Sequence, residues 1–128
     1  MTQSDVIIIG AGPGGYVAAI RAAQLGFTVT IIDKRMTAGG TCLNVGCIPS
    51  KAMLASSLKY QELSQDLNEH GIEVANVSVD VEKILNRKNK IVDDLTKGIS
   101  FLFKKNNITF VQGEAKLVDA QTVQVGET

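Results

Sequence analysis

The sequence has no tryptophan, one histidine, two prolines and only two cysteines among 128 residues. Each scarcity removes a class of function. Aromatic residues make up 5% of the chain, too few for the stacking platforms that hold single-stranded nucleic acid. Thirteen basic side chains cancel thirteen acidic ones, so no cationic footprint points to nucleic acid or to a membrane surface. His70 and two thiols cannot supply the four ligands of a zinc site, so no metal is expected. The aliphatic run Val6–Ile9 is far too short to span a bilayer. Residues 1–5 lack the basic, apolar and cleavage regions of a secretory signal. A cytoplasmic protein is therefore expected, or a matrix protein if the source is mitochondrial, although no transit peptide is visible. There is no repeat, low-complexity tract or Pro/Gly/Ser linker. With 45% hydrophobic residues, the chain is long enough for one domain with a real core.

What is present centres on the two cysteines, Cys42 and Cys47, in GGTCLNVGCIPSK. On a regular helix, residues five apart lie about 7.5 Å apart along the axis, beyond the roughly 7 Å reach of a disulfide. A bridge requires this segment to bend. Gly46 tolerates unusual dihedrals, Asn44 can leave the right-handed region, and Pro49 deletes a helical hydrogen bond to residue 45. The bridge would be a small strained ring of the labile, catalytic kind. The alternatives are a structural staple and two unrelated buried thiols. A six-residue ring removes little chain entropy, which argues against the staple, and the cysteine usage favours a redox pair.

The pair follows a nucleotide-binding βαβ unit. Asp5-Val-Ile-Ile-Ile is a continuous β-branched run, expected to be a strand buried on both faces. It leads into Gly10-Ala-Gly-Pro-Gly-Gly15, in which Gly10 makes the turn, Gly12 admits a pyrophosphate and Gly15 lets the helix pack on the strand. Pro13 suits the first helical turn, and Gly26 suits the helix stop. The amides of residues 12–15, Gly14 among them, sit at the positive end of the helix dipole and favour a diphosphate. A second strand over 27–32 ends at Asp33, near the offset expected for a ribose-binding carboxylate. Lys34 and Arg35 lie either near the adenosine or in solvent. The glycine motif alone fits NAD or FAD. The nearby dithiol selects FAD, because a thiolate can pass electrons to a flavin directly, whereas nicotinamide exchanges hydride and has no easy path to sulfur.

DVIIIGAGPGGYVAAIRAAQLG followed by GGTCLNVGCIPSKAML resembles the flavin-dependent pyridine nucleotide–disulfide oxidoreductases, with wording that leans to their lipoamide-oxidising branch. The resemblance implies that Cys42 is the interchange thiol, which meets dihydrolipoamide, and that Cys47 is the thiol facing the flavin. It implies that Lys51 lies near the flavin ring, that Gly39, Gly40 and Thr41 approach phosphates and flavin, and that Ala115 offers backbone contacts to the adenine. NAD would bind outside this chain. The implied partners are a lipoyl-carrying protein of a 2-oxoacid dehydrogenase complex and a second copy of the full-length protein. Two alternatives stand beside this reading: a non-catalytic FAD- or nucleotide-binding thiol sensor, and a reductase of glutathione or of mercuric ion.

The remaining segments read as scaffold. A helix is expected from Pro49 to about Asn68, with His70 in its terminal loop as a surface residue. Asp80 is expected to cap a second helix striped by Val81, Ile84, Leu85, Ile91, Val92, Leu95, Ile99 and Leu102. Gly98 suggests a break or a close contact within it. A third parallel strand is expected over 108–112, then a hairpin from 115–118 and 122–125. The expected fold is α/β, the N-terminal part of a doubly wound Rossmann-like FAD-binding domain with a parallel sheet and a small antiparallel hairpin. Residues 1–128 would form an incomplete FAD-binding domain, with NAD-binding and dimerisation domains, the latter carrying a His–Glu base, lying beyond Thr128.

Overall fold

The structure is a computed structural model and describes residues 2–65 and 67–126. Met1 and Thr128, the ends of the expected domain, and Asp66, inside the expected helix, lie outside the described residues. Strand β1 (Val6–Ile9) leads to helix α1 (Pro13–Gln24) and strand β2 (Val29–Asp33). Two helices follow, α2 (Gly40–Asn44) and α3 (Cys47–Leu63), then a short 3-10 turn at Asn68–His70 and the long α4 (Val81–Lys105). Strands β3 (Thr109–Gln112), β4 (Ala115–Leu117) and β5 (Val123–Val125) complete the chain. β1, β2 and β3 form a parallel sheet with β2 in the middle, and β4 and β5 pair antiparallel, the expected α/β arrangement.

Position in the sheet, rather than composition, decides which strand is enclosed. β2 is buried at Val29, Thr30, Ile31 and Ile32. β1 carries an equally apolar string, yet Ile7 and Ile9 are 37% and 51% exposed. Within residues 1–128, β1 lacks the cover on both faces that its sequence predicts. It is an edge strand here, and only Val6 and Ile8 pack against the core. That core joins Ile31, Ala19 and Ala11 to Leu43, Ile99, Phe103 and Ile108. Phe103 on α4 stacks on Phe110 of β3 with ring centroids 6.1 Å apart.

Local rules set most boundaries. After α1, Gly26 N–H donates to the carbonyl of Ala23 and Phe27 N–H to that of Ala22, the paired bonds of a Schellman stop. Phe27 is spent on finishing the helix, so the second strand begins at Val29 rather than at residue 27. Asp80 caps α4 as expected, its carboxylate accepting from Lys83 N at 3.0 Å. α3 stops at Leu63, five residues short of the expected end, where the Ser64 hydroxyl donates to the Tyr60 carbonyl at 2.7 Å and competes with helix continuation.

Gly98 neither breaks α4 nor marks a close approach. The helix runs through it, and a Cβ added there meets nothing within 4 Å. Gly98→Ala is therefore expected to stabilise the chain by about 1 kcal/mol, read as a higher midpoint in denaturant unfolding. A lower midpoint would show that the site is crowded. No described helix is long and apolar enough to cross a membrane.

Candidate redox and dinucleotide site

The glycine turn after β1 is held from several sides. Gly10 N–H donates to the Ile32 carbonyl at 2.7 Å. Ala11 N–H donates to Asp33 Oδ2 at 2.7 Å, and Arg35 N–H to Asp33 Oδ1 at 2.9 Å. Asp33 thus stands at the carboxyl end of β2 and braces the turn as well as facing it. A carboxylate oxygen has more than one acceptor site, so each oxygen keeps capacity for a ligand hydroxyl. Gly12 caps α1 without any side-chain hydrogen bond, and Pro13 opens the helix. The first-turn amides of Gly14 and Gly15 are left for an incoming acceptor. A Cβ on Gly15 would lie 3.0 Å from the Gly10 carbonyl carbon and closer still to its oxygen, so the helix sits directly on the strand end. Arg35 contributes its backbone amide, and Lys34 is exposed.

A second glycine loop docks on the first. Gly39 N–H donates to the Ala11 carbonyl at 2.7 Å. Gly39 and Gly40 have φ of 111° and 57°, a left-handed pair that L side chains rarely adopt. A Cβ on Gly40 would stand 2.7 Å from Gly12 Cα. This contact places the start of the cysteine segment against the turn that opens α1. Thr41 follows it and is exposed.

The helix breaks between the cysteines, as a bridge requires. Cys42 lies on α2 and Cys47 opens α3. Between them Val45 has φ −140° and ψ 1°, and Gly46 has φ −115° and ψ −116°. A Cβ on Gly46 would meet the Thr41 carbonyl oxygen at 2.9 Å and Cys42 Cα at 3.3 Å, so only glycine lets the chain fold back this closely. The other two residues expected to cause the bend do not. Asn44 stays inside α2. Pro49 is in the first turn of α3, where a missing N–H removes no helical bond.

The two thiols are hydrogen-bonding neighbours and are unequal. Cys42 is half-buried at the edge of the core, and Cys47 is exposed. The Cys42 thiol donates to the Cys47 sulfur. That bond holds the Cys47 pKa below the ordinary cysteine range, and the backbone amide of Cys47 itself and the Lys51 ammonium help it against desolvation. The same bond, with desolvation and the charge of Cys47, pushes Cys42 up. Cys47 is accordingly the more acidic thiol of the pair, the one that ionises first, and Cys42 the one that holds its proton longer. Lys51 stands one turn beyond Cys47 and is exposed.

Gly113 N–H donates to the Asp33 carbonyl at 2.9 Å, which ties the start of the β4–β5 hairpin to the same sheet end. Ala115, two residues on, is half-buried. His70 is exposed on its 3-10 turn. Among the described residues no group of three or more His, Cys, Asp or Glu could hold a metal. Two open grooves, of about 500 and 320 Å³, lie along α3 and the segment before α4, and neither cysteine lines them. Sequence reasoning passed over the side-chain bonds of Asn44, because an amide closing on carbonyls one turn back leaves no periodic signal.

A family model described as pyridine nucleotide-disulphide oxidoreductase matches residues 4–128. Among curated relatives, the mitochondrial dihydrolipoyl dehydrogenase of Pisum sativum is 54% identical over 96% of this chain and 25% of its own length. The dihydrolipoyl dehydrogenase of Cupriavidus necator is 53% identical over 91% of this chain and 26% of its own length. A solved structure of the Escherichia coli flavoprotein disulfide reductase RclA superposes with a TM-score of 0.74 at 26% identity, covering 93% of this chain and 24% of that one. The chain spans about a quarter of the length of the relatives it matches.

Proposed function

The chain belongs to the pyridine nucleotide-disulphide oxidoreductase family, and on that premise we propose that it is the FAD-holding, thiol-bearing part of an enzyme that oxidises dihydrolipoamide with NAD. The NAD site, the dimer-forming region and the base that takes the substrate proton belong, in this proposal, to parts of the protein outside residues 1–128. The donor of dihydrolipoamide is a lipoyl-carrying protein of a 2-oxoacid dehydrogenase complex, in a bacterial cytoplasm or a mitochondrial matrix. The names of the pea and Cupriavidus relatives support this substrate. The single observation that carries the thiol chemistry is the hydrogen-bonded, unequal Cys42–Cys47 pair on a segment docked against the glycine turn.

The residues present fit FAD. Uncapped amides at Gly14 and Gly15 would take the diphosphate, Asp33 the ribose hydroxyls, and Gly39, Gly40 and Thr41 the approach from the other side. Lys34, Arg35 and Ala115 stand at the same sheet end, where an adenosine would pass. FAD, when bound, would supply a two-electron acceptor for the Cys47 thiolate. In the oxidised chain a dihydrolipoamide thiolate attacks Cys42 Sγ, and the Cys42–Cys47 bond breaks with its electron pair on Cys47. The second substrate thiol then attacks the mixed disulfide and releases lipoamide, leaving Cys42 as the thiol and Cys47 as the thiolate. Lys51 holds that negative charge by its ammonium.

Asp33→Asn tests the cofactor assignment. Exchanging a charge-assisted hydrogen bond for a neutral one is expected to weaken FAD binding roughly ten- to a hundredfold, measured by flavin fluorescence on titration into the 128-residue chain. Equal affinity in the variant would contradict the assignment of Asp33 to the ribose.

A further inference from the structure

The short helix carrying Cys42 raises a physical question. α2 has five residues, far fewer than a helix needs to persist without outside support. Its last residue, Asn44, supplies such support. Asn44 Nδ2 donates to the Gly40 carbonyl at 2.8 Å and, at a longer 3.4 Å, to the Ala38 carbonyl. Asn44 Oδ1 accepts from the Thr37 hydroxyl at 2.7 Å. One side chain therefore ties two points of the incoming loop, Thr37 and Ala38, and the first residue of α2 to the end of the helix. Two of them, Ala38 and Gly40, flank Gly39, whose amide bonds to Ala11 in the glycine turn.

We propose that Asn44 is a positioning residue that sets how readily the Cys42–Cys47 disulfide closes, by holding α2 in register with the glycine turn. Asn44 touches neither sulfur. It acts through the helix: with its amide in place, Cys42 is held beside Cys47, and the effective concentration of one thiol at the other is high. Without it, α2 frays and the dithiol gains conformations that cannot close. The disulfide is then disfavoured relative to the dithiol. An aspartate at this position keeps the bond from Thr37 but loses both donated bonds and sets a negative charge against two carbonyls, so it cannot substitute.

This inference rests on the reading of the two cysteines as a redox pair, and one equilibrium separates the two. The 128-residue chain is brought to equilibrium in glutathione buffers of graded composition, and the dithiol fraction is counted by alkylation and mass spectrometry. Closing the ring joins Cys42 Sγ to Cys47 Sγ, releases two protons and passes two electrons to glutathione disulfide, which leaves as two glutathione thiols. Asn44→Ala, which removes all three bonds, is expected to lower the closure constant at least three- to tenfold, since one net hydrogen bond is worth about that factor. Thr37→Val, which removes only the bond to Oδ1, is expected to lower it by less, and in denaturant all three chains are expected to agree. A folded Asn44→Ala chain that closes as readily as the parent overturns the role of Asn44. If that variant does not fold, the exposed Thr37→Val change carries the test, and an unchanged constant there overturns it equally. A parent chain that forms no bridge in any buffer instead overturns the redox pair itself.

Discussion

In the reduced Cys47→Ser chain, the fast phase of thiol alkylation at neutral pH is lost completely, whereas the Cys42→Ser chain keeps one. The sign follows from the geometry of the pair. The Cys42 thiol donates to the Cys47 sulfur, which lowers the Cys47 pKa and raises that of Cys42. At neutral pH Cys47 therefore carries more thiolate than an ordinary cysteine, and Cys42 carries less. As pH rises, Cys47 reaches its full rate first and Cys42 last. In Cys42→Ser the introduced hydroxyl can still donate, so Cys47 remains reactive in that variant. Lys51→Met removes a cation that favours the Cys47 thiolate, so the fast phase moves to higher pH, and high salt should mimic part of this shift. Peptide mapping of the first alkylated site decides the matter: first labelling at Cys42 would reverse the assigned roles.

Gly15→Ala is expected to produce the largest loss of stability. The added methyl would stand against the backbone carbonyl of Gly10 and 3.4 Å from Ile8 Cγ2. No rotamer change can relieve a clash between two backbone segments, so α1 must move off the end of β1. Overpacking of this kind costs about 3 kcal/mol, a large share of the roughly 5–15 kcal/mol that holds a domain together. The thermal midpoint should fall by about 10 °C, and FAD binding should fail because the amides at the helix start are displaced. Gly14→Ala is the contrast: a Cβ there meets nothing within 4 Å, so its midpoint should be no lower than that of the parent. Equal midpoints for both variants would show that the turn is loose enough to admit a side chain.

The fold is legible in the sequence wherever the pattern is local. The β-branched run, the glycine turn and Gly26 bound β1 and α1, and Asp80 marks the start of α4. The hairpin at β4–β5 follows from alternation alone. Burial of β1 was not legible, because it depends on which strand becomes the middle of the sheet. The spacing of the cysteines demands a bend between them, and it arises from Gly46 folding back on Thr41 and Cys42 rather than from Pro49 or Asn44. The position of Asp33 predicts a ribose ligand; its bonds to Ala11 and Arg35 show a bracing of the turn that no spacing rule contains. The contact between Gly40 and Gly12 joins residues 28 positions apart, and pattern within a single segment does not reach that far.

The central claim is that the Cys42–Cys47 pair exchanges electrons with a flavin held on the glycine turn. A two-electron reductive titration of the FAD-loaded chain with a small dithiol tests it directly. The flavin's visible absorption is expected to change in step with the appearance of the two protein thiols, and this change is expected to disappear in Cys47→Ser. Thiols that appear in full while the flavin spectrum stays unchanged would contradict the claim and leave a thiol sensor beside a bound nucleotide.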